Sequence, residues 1–110
     1  MTDYAIDRTK WSQMNIFEQM GNIYSEVGRS FNAKRQGQTE RKDQATTRAI
    51  DLFDATIEDL TNKKSVRSKE VLTAKSEFLS NINSEKFNEK ETASLEKYFL
   101  EFAIAARRFR

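Results

Sequence analysis

The chain has 110 residues, 33% of them charged, with 19 Lys and Arg against 17 Asp and Glu for a formal net charge of +2, and it contains no cysteine or histidine. These absences exclude disulfides, thiolate zinc sites, iron–sulfur clusters, a cysteine nucleophile and an imidazole general base. They also exclude the Arg…His motif of helical HEPN-type ribonucleases. With no proline and 3 glycines, few residues interrupt a helix, and an all-α single domain is the expected class.

No apolar run reaches the roughly 18 residues of a membrane span. The opening MTDYAIDRTKW is polar and acid-bearing, unlike a signal peptide, so a cytoplasmic location is expected. Residues 1–14 show no helical period and read as an N-terminal irregular segment. Within it Tyr4, Ile6 and Trp11 carry apolar weight, and Trp11 is the expected anchor against a bundle formed by residues 15–110.

Asn15 followed by Glu18 has the spacing of a reciprocal N-cap, so the first predicted helix starts there. Ile16, Phe17, Met20, Ile23, Tyr24, Val27 and Phe31 give it one apolar stripe. Gly37 ends it, with Lys34 and Arg35 placed against the negative end of its dipole. Gly21, Ser25 and Gly28 lie on one face at i, i+4 and i+7. Glycine inside a helix costs about 1 kcal/mol relative to alanine, so this small face is expected to admit another backbone, either within the chain or from a second subunit.

A second predicted helix runs from Thr39 to Leu60 on Ala45, Ala49, Leu52, Phe53, Thr56, Ile57 and Leu60, joined by a link short enough to force antiparallel packing. Residues 61–65, TNKKS, read as a turn. The third helix, Ser65 to Ile82, has a thinner stripe of Val66, Val71, Leu72, Ala74, Phe78, Leu79 and Ile82, with the Lys75 stem beside it. Asn88 and Glu91 repeat the N-cap signature for the fourth, which uses Leu95, Tyr98, Phe99, Phe102, Ala103, Ala105, Ala106 and Phe109. Four segments of similar length predict an up-down-up-down antiparallel four-helix bundle.

The stretches GNIYSEVGRS, RAIDLFDATI and KYFLEFAIAARR resemble patterns found in small, uncharacterised prokaryotic four-helix-bundle proteins. The resemblance spans most of the first, second and fourth predicted helices. It implies the bundle fold and no established activity.

Folding the chain up and down gathers Arg8, Lys10, Lys63, Lys64, Arg67, Lys69, Arg107, Arg108 and Arg110 at one end, with Asp7, Asp59 and Glu70 as the chief acids. Lys63, Lys64, Arg67, Lys69, Arg107, Arg108 and Arg110 are the candidate nucleic-acid-binding set, because such clusters attract polyanions by counterion release. Solvation of a charged face and favourable placement near helix C-termini explain the same residues without any ligand. A smaller basic group, Arg29, Lys34, Arg35, Arg41 and Lys42, falls at the other end.

Glu26, Arg29, Arg48, Asp51 and Asp54 form a candidate polar network between the first two helices. It reads either as a register-fixing set of ion pairs or as the remnant of an all-carboxylate Mg2+ site, with one acidic pair missing. Twelve aromatics (8 Phe, 3 Tyr, 1 Trp) are many for a small core, and Tyr4, Trp11, Phe87 and Phe109 are expected at the bundle ends, as plugs or as binding groups. The functional expectation is a non-enzymatic accessory or adaptor bundle without metal or cofactor, self-associating, that contacts RNA, DNA or a nucleic-acid-processing protein through its basic end. A purely protein-binding module and a Mg2+-dependent nucleotide hydrolase are the alternatives.

Overall fold

The computed structural model describes residues 6–108, and among them the only regular structure is helical. Five helices follow in order: α1 (Arg8–Ser12), α2 (Ile16–Arg35), α3 (Thr39–Asn62), α4 (Ser68–Ile82) and α5 (Glu89–Arg108). The expected four helices are α2 to α5, and α1 is an addition within the segment expected to be irregular. Asp7 starts it by accepting from the Thr9 and Lys10 amides at 3.0 and 3.2 Å. A helix of five residues is too short to show a hydrophobic period.

Short-range chemistry sets the other ends. Asn15 and Glu18 exchange side-chain-to-amide bonds at 2.9 and 3.1 Å, a complete capping box. Gly37, at φ 70, closes α2 with the Gln38 amide on the Ala33 carbonyl and its own amide on Lys34. α3 ends in the same pattern, with Ser65 on Leu60 and Lys64 on Thr61. There, however, the left-handed position is held by Lys64, at φ 56, where a Cβ is strained. At the start of α5 the Glu91 amide donates to Asn88 Oδ1 at 3.0 Å.

Helix α2 is central and packs against α3 and α5; α4 lies mainly on α3, and α1 also rests on α3. A chain of rings runs through the core, from Phe31 to Phe78 (5.5 Å between centroids), Phe78 to Phe53 (5.8 Å) and Phe53 to Phe99 (5.7 Å), so all four long helices contribute. Trp11 is buried with them, and its indole Nε1 donates to Thr56 Oγ1 at 2.9 Å, confirming it as the anchor of the N-terminal segment. Phe87 packs against Phe31 beneath Lys34 and Arg35. Tyr4, Phe109 and Arg110 lie outside the described residues.

Two expected core positions of the third predicted helix point outward. Val66 is 90% exposed and Leu72 52% exposed, because α4 begins at Ser68, after Val66, and only its Val71, Ala74, Phe78 and Ile82 face is covered. None of the described helices is long and apolar enough to cross a membrane.

Candidate functional site

The larger basic end is assembled from the α3–α4 turn, the last turns of α5, and α1. Arg67 lies with its guanidinium carbon 5.4 Å from the Phe102 ring centroid, which brings the turn against α5. Lys63 Nζ donates to the Ser12 carbonyl at 2.9 Å, which brings α1 to the same place. A buried polar group braces this junction: Gln19 Nε2 donates to the Trp11 carbonyl (2.9 Å) and to Asp59 Oδ2 (3.0 Å), and Asp59 also receives Lys63 at 2.8 Å. Gln19 carried no signal in the sequence, since a glutamine beside an apolar stripe reads as a surface residue.

The candidate set divides here. Lys63 is tied to Asp59, and Arg67 to Glu70 at 3.2 Å. Arg8 turns aside to Asp51 (3.3 Å) and Glu58 (3.8 Å). Lys64, Lys69, Arg107 and Arg108 are exposed, and among the described residues they enter no ion pair. Lys64 and the two arginines sit near the C-termini of α3 and α5, where the dipole favours a cation. Lys69 stands in the first turn of α4, which has no side-chain cap, and a cation there opposes the dipole. Helix electrostatics therefore does not account for the whole cluster.

Glu70 anchors the rim of this end. Its carboxylate accepts from the Tyr98 hydroxyl at 2.6 Å and from Arg67. These contacts, the tyrosine bond first, hold the Glu70 carboxyl below its usual range against the opposing effect of partial burial. Burial and the same bond push the Tyr98 hydroxyl upward.

Lys34 and Arg35 of the smaller basic end are used internally. Lys34 Nζ donates to the carbonyls of Asn81, Ile82 and Ser84 at 2.8, 2.9 and 2.7 Å, closing the end of α4. Burial and the nearby Lys42 charge lower its pKa. Arg35 clamps Glu89 (2.8 Å) and Glu96 (2.7 Å), and these hydrogen bonds raise its pKa further.

The candidate polar network forms only in part. Glu26, 8% exposed, takes Arg48 at 3.1 Å and Arg29 at 3.2 Å, tying α2 to α3. Asp51 instead accepts from Arg8 and from the Ile6 amide, and Asp54 pairs with Lys75 at 2.6 Å. Arg48, Asp51 and Asp54 are three residues apart, so each step turns about 60° around the helix and the set cannot all face α2. Among the described residues, no group of three or more acids is placed to hold a metal ion.

The small face also divides. A Cβ on Gly21 would sit 3.3 Å from the Ala103 Cα, so this glycine admits α5. Gly28 has nothing within 4 Å of that position, and Ser25 is exposed. Gly28 therefore does not serve the close approach of α5, although α5 stays in contact with α2 as far as Arg35. Between α4 and α5, a groove of about 900 Å3 is lined by Glu70, Glu77, Glu91, Lys90, Leu95 and Tyr98, among others. Comparison of the chain with protein-family models, curated proteins and solved structures finds no match.

Proposed function

We propose that the protein is a non-enzymatic, cytoplasmic adaptor that binds nucleic acid through the α3–α4 turn and the C-terminal end of α5. In this reading α2 to α5 form an antiparallel up-down bundle and α1 braces the binding end. One observation carries it: among the described residues Lys64, Lys69, Arg107 and Arg108 are exposed without acidic partners, and Lys69 opposes the dipole of its own helix, whereas at the opposite end Arg29, Lys34, Arg35 and Lys42 are engaged within the chain and Arg41, Lys86 and Lys90 are not. Ser25 and Gly28 are the part of the small face left open for self-association, which solution mass measures.

Filter binding with RNA and DNA at low and moderate salt tests the reading. Retention at low salt that falls steeply as salt rises is expected, because lysine and arginine contacts release counterions. No retention at low salt overturns it, as does capture by anionic lipid vesicles with none by nucleic acid. The α4–α5 groove favours a second reading, a purely protein-binding module, in which the groove takes a partner segment. Glu26, Asp51 and Asp54 serve separate ion pairs, and the Mg2+ hydrolase reading draws no support from their placement.

A further inference from the structure

We infer that the basic end takes double-stranded nucleic acid by its phosphates, without base stacking and without sequence preference; this rests on the nucleic-acid reading above. A protein that holds single strands combines a basic surface with open aromatic faces, each stacked base being worth about 1–3 kcal/mol. The described rings near this end are buried or half-buried and packed on one another, Phe17 lying against Phe102 with 6.2 Å between centroids. Trp11 is 4% exposed, with its indole bonded to Thr56. Phe102 is covered by Arg67 on one side and packed by Tyr98 at 5.3 Å. Tyr98 has its hydroxyl bound to Glu70. The apolar groups that do protrude near this end are Val66 and Ile104, which have no π face.

Reading base edges needs a row of polar side chains laid along a groove. This end presents a turn and helix termini instead, with the four unpaired cations of the candidate set, and Lys10 of α1 beside them, spread over it. Duplex DNA carries one charge per roughly 1.7 Å of axis, twice the density of either strand, so a dispersed set of cations finds phosphates on both strands. Four contacts give a slope of log affinity against log salt of about −3.6 on a duplex and about −2.8 on a single strand.

Fluorescence anisotropy on the full chain tests this, with a labelled mixed-sequence duplex of about 20 base pairs, a scrambled duplex and a single strand of equal length, across about 50 to 200 mM salt. The duplexes should bind alike and more tightly than the single strand, losing about 100- to 200-fold over that range. Lys69→Ala should reduce the slope by about 1. Phe109→Ala, at the residue next to Arg108 that lies outside the described region, should leave affinity unchanged. A single strand bound as tightly as duplex, a preference between the two duplexes, or a marked loss in Phe109→Ala overturns the duplex inference and leaves the nucleic-acid reading standing. Binding to no probe at low salt overturns both.

Discussion

The two ends of the molecule look similar in the sequence, each a group of lysines and arginines around a helix–helix turn, and they are put to different uses. At the α2–α3 and α4–α5 turns two cations face inward: Lys34 on three carbonyls, Arg35 between two glutamates, and both over the Phe87 ring. At the α3–α4 turn Lys63 and Arg67 are used in the same way, but Lys64 and Lys69 are not, nor are Arg107 and Arg108. A count of cations thus says little about binding. What matters is whether acceptors exist within reach: among the described residues Lys10, Lys64, Lys69, Arg107 and Arg108 lack an acidic partner at one end, and Arg41, Lys86 and Lys90 at the other.

The body between the ends provides the yardstick. Gly21→Leu should lower stability by about 3 kcal/mol, since it drives a side chain into the α5 backbone at Ala103. Gly28→Leu, entering open space, should leave stability unchanged or raise it by less than about 1 kcal/mol through helix propensity. Urea midpoints measure both, and equal losses at the two sites would contradict the packing described.

The next largest effect is expected at the smaller basic end. Lys34→Met keeps the stem and removes the ammonium from three carbonyls, so a loss of about 2 kcal/mol is expected. Amide exchange should quicken in the last turn of α4 and not at its start. A neutral result would erase the contrast between the ends.

At the binding end, Tyr98→Phe should cost about 1 kcal/mol by removing the bond to Glu70. Folding lowers the Glu70 pKa, so this contribution is present above the ordinary glutamate value of about 4.3 and is lost as pH falls through the folded value. Folding raises the Tyr98 pKa, so on the alkaline side the contribution is complete below about pH 10 and is lost as pH rises through the folded value. The difference between wild type and Tyr98→Phe in urea should therefore be flat near neutrality and shrink toward both extremes. A difference independent of pH would assign the loss to packing alone.

The smallest expected change in stability is the most informative about function. Lys64→Gly relieves a left-handed lysine and should raise stability by up to about 1 kcal/mol, while weakening retention of nucleic acid and flattening its salt dependence. Higher stability with unchanged retention would remove Lys64 from the binding surface. The variant separates what the fold prefers from what the proposed site requires.

The sequence by itself determined the helical class and most helix ends. Asn15 with Glu18, Gly37, and Asn88 with Glu91 act over three to five residues, and such local chemistry does not depend on which helices pack together. It also marked Trp11 as an anchor and Glu26 with Arg29 and Arg48 as partners. Tertiary structure decided the rest, because it depended on rotation and crossing of helices about one another. Equal spacing made Gly21 and Gly28 look alike, yet only Gly21 lies where α5 crosses. Asp51 and Asp54 turn away from Glu26 to meet Arg8 and Lys75, brought from 43 and 21 residues away. Which cations stay unpaired follows from the same long-range placement of acids, and on that placement the proposed binding end depends.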